Sequence, residues 1–314
     1  MPTQPHRVHQ PAITVSHLEA ALRFYTEILP FRPVRQFSLT DPALPQLLGG
    51  EFGGPIRVAE LRLGEEAIQL WHYPEQPGRS VPAASRSNDA WFQHVAIVVT
   101  DMTAAYAALE GKVTEVSRGP QRLPASLPHA AGIEAFYFND PDGHVLELIY
   151  FPAGKGDPRW QSADLPLFAG IDHTAIGTDR TDEALHVYQD LLGLQLAGQG
   201  INYGEEQSRL NNVPDARLLI STLQAERGIG LELLDYLRPG TGRPYPADSQ
   251  PWDLWHWHTP IQVADARAVY DRLRAAGHRL ISADVVALAA TALGVSRGFL
   301  VRDPSGHALL IYET

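Results

Sequence analysis

The chain has 314 residues, 44% of them hydrophobic and 19% charged, a composition typical of a globular protein of two ordinary domains. Its formal net charge is −11 and it has no cluster of lysine and arginine, which argues against nucleic acid and anionic membranes as partners. It contains no cysteine, which excludes disulfides and thiolate chemistry. The sequence has neither the apolar stretch of a signal peptide nor a run approaching the ~18 residues of a membrane span, so we expect a cytoplasmic protein.

The first part of the chain predicts one compact unit. Residues 8–15 have the pattern of a strand, and apolar residues at helical spacing follow over 17–29. After a loop rich in proline and glycine, residues 56–63 and 67–73 alternate as strands do. The order is therefore strand, helix and further strands.

This order returns three times, and a glycine follows each later helix as a C-cap. The predicted first strand and helix of the later units are 92–99 with 102–110, 170–176 with 182–192, and 256–261 with 265–276. The corresponding first-strand positions, spaced by 84, 79 and 85 residues, are Gln10, His94, His173 and His258. Such a regular period indicates an internal repeat. A turn-rich connector follows the second unit, so we divide the chain into domains 1–155 and 166–314, each a pair of units.

A turn motif occurs twice, as Asp140-Pro-Asp-Gly-His144 and as Asp303-Pro-Ser-Gly-His307, each before an apolar run that ends Ile-Tyr. The residue order predicts a tight turn between two strands. Four residues after the turn glycine, the first copy has Glu147 and the second has Leu310. An acid within an apolar strand costs several kcal/mol unless it is paired or coordinated, so Glu147 indicates a site. The two turn histidines, His144 and His307, lie an odd number of residues from these positions and are predicted to be structural.

Four such units, with histidine near the first strand and Gly-x-x-x-Glu near the last, resemble the vicinal oxygen chelate superfamily. That family includes glyoxalase I, methylmalonyl-CoA epimerase, the extradiol dioxygenases and the bleomycin-resistance proteins. The resemblance covers nearly the whole chain, and four units in one chain is the layout of the extradiol dioxygenases. It implies an α+β fold in which four βαβββ units pair into two cup-shaped domains. Metal ligands would come from the first and last strand of each unit.

With the two units of each half paired, the resemblance implies two possible cups. The N-terminal cup would offer Gln10, Gln69, His94 and Glu147. The C-terminal cup would offer His173, Glu232 and His258, with Leu310 at its fourth corner. Two imidazoles and one carboxylate form the facial set that leaves three positions open on a non-haem iron, so His173, Glu232 and His258 are the predicted metal ligands.

Three further side chains of the C-terminal half are predicted to share this face and to act as general acid or base, namely His256, Tyr236 and Tyr312. The main functional hypothesis is an Fe(II) extradiol-type dioxygenase acting on a small catechol-like or 2-oxo substrate. The alternative is an isomerase or lyase that uses Zn²⁺, Mn²⁺ or Ni²⁺ as a Lewis acid, and the missing acid at Leu310 favours it. A second alternative is a metal-free protein that binds a small aromatic molecule or an antibiotic. We also expect a homodimer.

Overall fold

The computed structural model describes residues 7–289 and 292–314, and the four predicted units are all present. The elements of the first unit are β1 Arg7–Val8, β2 Ala12–Thr14, α1 Leu18–Arg23, β3 Arg32–Leu39, α2 Leu44–Leu48, β4 Ile56–Leu63 and β5 Glu66–His72. Those of the second are β6 Gln93–Val99, α3 Met102–Leu109, β7 Thr114–Glu115, β8 Gln121–Arg122, β9 Glu134–Asn139 and β10 Val145–Tyr150. A turn of 3₁₀-helix, Pro158–Gln161, lies in the connector between the halves.

The second half repeats this plan. The elements of the third unit are β11 Phe168–Thr178, α4 Thr181–Leu185, β12 Gln195–Tyr203, α5 Glu205–Asn211, β13 Arg217–Gln224 and β14 Gly230–Arg238. Those of the fourth are β15 Trp257–Gln262, α6 Ala266–Ala275, β16 Val286–Ala287, β17 Arg297–Arg302 and β18 Ala308–Glu313. The helices α1 and α4 continue as π-helical turns, Phe24–Ile28 and His186–Leu191, so the helices predicted over 17–29 and 182–192 are confirmed.

The pairing of the units differs from our prediction. Within the described residues, the second and third units form one nine-stranded sheet, ordered β12-β13-β14-β11-β6-β10-β9-β7 with β8 beside β9. The first and fourth units form the other, ordered β16-β17-β18-β15-β2-β5-β4-β3 with β1 beside β15. We call these the inner sheet and the outer sheet. The predicted α+β fold of four paired units is confirmed, but the assignment of one cup to each half is wrong, because each sheet takes one unit from each half of the chain.

Within each sheet, the two units are joined by their first strands. This contact pairs a unit of one half with a unit of the other half. In the inner sheet β6 runs antiparallel to β11, and in the outer sheet β2 runs antiparallel to β15. All four first strands carry buried apolar residues, so their sequences suit either pairing. One large hydrophobic cluster draws on all four units and includes Ile13, Ile97, Ile176 and Ile261.

One face of the outer sheet is filled with apolar side chains. Leu44, Leu47 and Leu48 of α2 belong to the same buried cluster as Trp71 and Leu310. This face therefore resembles an ordinary core rather than a polar site. In the described part of the chain, no helix has the length and apolar character needed to span a bilayer.

Candidate metal centre

Four neighbouring strands of the inner sheet each place one polar side chain on the same face. His94 lies on β6 and Glu147 on β10, while His173 lies on β11 and Glu232 on β14. The parallel pairing sets His94 beside Val145 and His173 beside Gly230, so each glutamate lies two residues beyond the partner of a histidine. Since side chains two residues apart share a face of a strand, all four project to one side of the sheet.

The donor atoms of these residues converge. The Nε2 atom of His94 lies 3.0 Å from Oε2 of Glu147 and 3.4 Å from Nε2 of His173. The Nε2 atom of His173 lies 3.6 Å from Oε2 of Glu147 and 3.4 Å from Oε2 of Glu232. Among the described residues, His94, Glu147 and His173 are all buried with their ligand atoms within 4.8 Å of one another. The arrangement provides two imidazole nitrogens and one carboxylate around one point, with the carboxylate of Glu232 next to His173.

The carboxylates of this cluster favour a bound positive charge. Burial by itself would lower the pKa of His173, but Glu232, Asp172 and Glu147 outweigh it and raise that pKa to about 10. Two imidazole nitrogens that face each other at 3.4 Å cannot both present lone pairs without a proton or a cation between them. The donors are those that bind divalent transition metals, and two carboxylates balance the charge of such an ion. The residues therefore fit a divalent metal ion.

The histidine from the third unit is held by a carboxylate behind it. Nδ1 of His173 lies 2.9 Å from Oδ2 of Asp172, so the imidazole donates to the acid and Nε2 faces the centre. A register irregularity in β11 between Ile171 and His173 accounts for two consecutive side chains meeting. Asp172 also accepts a 2.6 Å hydrogen bond from the indole of Trp160 in the connector. This carboxylate–histidine pair is the arrangement that orients metal-ligating histidines.

The centre is open on the side of Glu232. The side chain of Glu232 is 19% exposed, whereas those of His94, Glu147 and His173 are at most 6% exposed. Thr222 of the neighbouring strand β13 donates a 2.8 Å hydrogen bond to Oε1 of Glu232. A small molecule would therefore approach from the side of β13 and β14.

Two buried tyrosines lie on the strands that flank the centre, Tyr137 on β9 and Tyr236 on β14. The ring of Tyr137 lies 5.0 Å from that of His94, and burial together with Glu147 raises the pKa of this phenol well above its usual value. Tyr236 follows Glu232 on the same face of β14, and burial raises the pKa of its phenol as well. Its hydroxyl lies beside Ser87 and Asn211 without forming a hydrogen bond of good geometry. Both phenols are neutral, so each can donate a proton or a hydrogen bond.

The structure corrects the predicted ligand set. His173 and Glu232 lie together, but His258 is on β15 of the outer sheet, where its ring packs edge-on against Trp71 at 4.7 Å. Burial lowers the pKa of His258 to about 3, and its Nε2 has no hydrogen-bond partner among the described residues. The predicted facial set of His173, Glu232 and His258 is therefore not assembled. The donors that complete the cluster, His94 and Glu147, are those considered for the other cup.

The other predicted site residues of the outer sheet also lie away from the centre. Burial lowers the pKa of His256 well below its usual value and raises that of Tyr312 to about 12. Gln69 accepts a 3.0 Å hydrogen bond from Trp71, and Gln10 precedes β2. Of the three predicted acid–base residues, Tyr236 alone is on the strand of a candidate ligand.

Sequence reasoning missed the side chains that support the centre. Trp160 and Thr222 carry no motif, and their contacts depend on the pairing of distant strands. Asp172 had a signal, because it directly precedes His173 in the sequence. The turn histidines do not contribute to the centre, since His144 contacts Asp140 at 2.8 Å and His307 lies 3.0 Å from the carbonyl oxygen of Gly177.

Comparison with known proteins agrees with this architecture. The family model of the Glyoxalase/Bleomycin resistance protein/Dioxygenase superfamily matches residues 7–148 and again residues 170–311. The chain belongs to this superfamily. A 2-epi-5-epi-valiolone epimerase of Actinomyces sp is 32% identical over 168 residues, which cover 51% of this chain and 87% of that protein.

Solved structures show the same fold. The structure of glyoxalase I from Zea mays has a TM-score of 0.62 at 16% identity, covering 98% of this chain and 92% of that chain. A putative dioxygenase from Bacillus subtilis has a TM-score of 0.55 at 13% identity, covering 99% of this chain and 86% of that chain. At these identities the likeness concerns the fold alone.

Proposed function

We propose that the protein is a metal-dependent isomerase of the epimerase type, which moves a proton next to the carbonyl group of a small 2-hydroxy ketone. The observation that carries this proposal is the convergence of His94, His173 and Glu147 on one point of the inner sheet, with a second carboxylate, that of Glu232, 3.4 Å from Nε2 of His173.

A second carboxylate beside the metal set favours this reaction over ring cleavage. His94, His173 and Glu147 form a set of two histidines and one carboxylate, which leaves three positions open on a six-coordinate ion. Glu232, with Oε2 3.4 Å from Nε2 of His173, adds a carboxylate that can take up and return a proton, as an isomerase of this type requires. Glu232 therefore supports the isomerase hypothesis over the dioxygenase hypothesis.

The exposed fractions of the side chains at the centre support a separate role for each residue. A divalent ion bound by His94, His173 and Glu147 would act as a Lewis acid and stabilise the enediolate form of the substrate. Glu232 faces the open side, is steadied by Thr222 and is the carboxylate positioned to take and return the proton. Glu147, buried against both histidines, serves as a fixed ligand. The neutral phenol of Tyr137 lies beside the centre and can donate a hydrogen bond to a substrate oxygen.

The relationship to an epimerase supports the same reaction class, because that relative is 32% identical over 168 residues. Its substrate is a property of that protein, and the substrate of this chain is open to test. A panel of small 2-hydroxy ketones is the appropriate starting set.

The first experiment measures metal content by elemental analysis in the wild type and three variants. We expect about one divalent ion per chain in the wild type, retention in His258→Ala, and loss in His94→Ala and His173→Ala. Loss in His258→Ala with retention in His94→Ala would contradict the proposed centre.

The second experiment identifies the reaction. Incubation of the ketone panel with the protein in D₂O should incorporate deuterium next to the carbonyl group, and Glu232→Gln should lose this exchange while retaining metal. Oxygen consumption with catechols, in the absence of deuterium exchange, would overturn the isomerase proposal in favour of a dioxygenase.

A further inference from the structure

A second repeated segment, outside the metal centre, relates the two halves of the chain. Residues 79–91, which we call the first strap, read Arg-x-Val-Pro-Ala-x-Ser-x-x-x-Asp-x-Trp. Residues 243–255, the second strap, read Arg-x-Tyr-Pro-Ala-x-Ser-x-x-x-Asp-x-Trp, so corresponding positions are 164 residues apart. Each strap connects the two units of its half, and one position differs in size: Val81 in the first strap is Tyr245 in the second.

The two straps have the same local structure. The indole of Trp91 donates a 3.1 Å hydrogen bond to Ser85, and that of Trp255 donates a 3.0 Å hydrogen bond to Ser249. Each strap also crosses the turn of its own half. A Cβ atom added at Gly306 would lie 2.7 Å from Cγ of Tyr245, and one added at Gly143 would lie 3.5 Å from Cβ of Val81. Positions 81 and 245 are therefore structural equivalents.

In the second half, aromatic and cationic side chains fill the space between strap and turn. The ring of Tyr245 lies 5.5 Å from that of His307, and the guanidinium carbon of Arg302 lies 5.2 Å from the centre of the Tyr245 ring. Burial raises the pKa of the Tyr245 phenol. A phenol ring is thus the native occupant of this space in the second half.

In the first half, the equivalent space is a cavity. Val81 replaces the tyrosine, and Asn139 occupies the position of Arg302 before the turn. A cavity of about 430 Å³ results, with walls that include Val81, Ser85, Trp91, Phe92, His144 and Trp257. Indole, phenyl and imidazole rings with a few polar groups are the usual lining of a small-molecule site. None of the centre's residues, His94, Glu147, His173 and Glu232, lines this cavity. Phe92 lies between the cavity and His94, with its ring 5.7 Å from the imidazole.

We propose that this cavity is a second binding site that accepts a single aromatic ring of the phenol type. The ligand ring would take the place that the Tyr245 side chain occupies in the other half, against the imidazole of His144. The charged side chains on the wall are Arg86 and Asp142, one of each sign, which suits a ligand without net charge. The proposal is independent of the metal centre and of the reaction that we assign to it.

The test uses p-cresol, which is the tyrosine side chain as a free molecule. Equilibrium dialysis of the full chain in the presence of a chelator should show one saturable site. Val81→Tyr supplies the ring from within the chain, so it should weaken binding of p-cresol at least tenfold and raise the melting temperature. Val81→Ala, the matched control, keeps the cavity open and should bind as the wild type does.

Two further variants locate the site. Tyr245→Val should create an equivalent cavity in the second half and increase the stoichiometry from one p-cresol per chain to two. His94→Ala, on the other side of Phe92, should leave binding unchanged. The proposal is overturned if the wild type shows no saturable binding of p-cresol up to about 10 mM. A dissociation constant above this value corresponds to a binding free energy weaker than about 3 kcal/mol. It is also overturned if Val81→Tyr binds p-cresol as tightly as the wild type, or if His94→Ala abolishes binding. Should Tyr245→Val fail to fold by circular dichroism, the two Val81 variants still decide the question.

Discussion

Arg79 of the first half and Asp253 of the second half form a three-point contact across the boundary between the halves. Nε and the backbone N–H of Arg79 lie 3.0 and 3.1 Å from Oδ1 of Asp253, and Nη2 lies 2.6 Å from Oδ2. The reciprocal contact is present, since Arg243 donates in the same way to Asp89. Because Arg79 and Asp89 belong to the first strap and Arg243 and Asp253 to the second, the two contacts together join the straps to each other.

We predict that Asp253→Ala destabilises the protein by about 2–4 kcal/mol, because it removes a buried acceptor on which several donors converge. The Asp253 side chain is 2% exposed. Chemical denaturation with urea would measure the change in the free energy of unfolding.

Asp248→Ala is a matched control, because Asp248 binds the same arginine through Nη1 at 2.9 Å but is 75% exposed. Its removal should change the free energy of unfolding by less than about 0.5 kcal/mol. Equal effects of the two variants would show that the cross-half contact contributes no more than a surface ion pair.

The carboxylate behind His173 should control metal affinity. Asp172→Asn retains the size of the side chain but removes the charge that orients the imidazole, so we expect the dissociation constant for Zn²⁺ to rise about 10- to 100-fold. Competition with a chromophoric chelator would measure it. Asp179→Asn, at an exposed position outside the centre, should leave the constant unchanged.

Metal binding to the chain should strengthen with pH. The pKa of His173 in the metal-free protein is raised to about 10, chiefly by Glu232 against the opposing effect of burial, so binding at neutral pH must displace a proton. The apparent affinity should therefore increase by up to about tenfold per pH unit between pH 7 and pH 10. Calorimetric titrations in buffers of different ionisation enthalpy would detect the released proton, and a pH-independent affinity without proton release would contradict this prediction.

Acid should destabilise the outer sheet through its buried histidines. Burial lowers the pKa of His258 to about 3 from an ordinary value of 6.5, so below pH 6.5 the unfolded chain binds a proton that the folded chain excludes. The contribution of neutral His258 to the free energy of unfolding is thus complete above pH 6.5 and is lost as the pH falls towards 3. The free energy of unfolding should change by at most about 1.4 kcal/mol per pH unit through this group.

Replacement of His258 isolates its contribution to the loss of stability at acid pH. His258→Gln removes the titrating group, so the wild type should lose more stability than the variant between pH 7 and pH 5 in urea denaturation. His186, which is half-exposed and bound to Asp190 at the surface, provides the control variant His186→Gln. Parallel losses in the wild type and His258→Gln would show that other groups dominate the acid response.

The repeat of strand, helix and strands was predictable because its signals are local. Helical spacing over 17–29 and 265–276, the Asp-Pro-x-Gly turns and the glycines after the helices each depend on a few consecutive residues. These signals identified the unit and the superfamily fold. They also singled out the first-strand histidines and the glutamates of the last strands as the polar residues of otherwise apolar strands.

The tertiary structure alone decided which of these residues meet. His94 and His173 come together because β6 pairs with β11, whereas His258 is carried into the outer sheet by β15. The four first strands all carry buried apolar residues, so this pattern does not distinguish the pairing of units one and two from that of units two and three. Which units pair depends on contacts between residues far apart in the sequence. Arg79 with Asp253 and Arg243 with Asp89, each more than 150 positions apart, are examples. The sequence by itself determined the unit and the kinds of ligand, and the long-range packing of the units determined the site that they form.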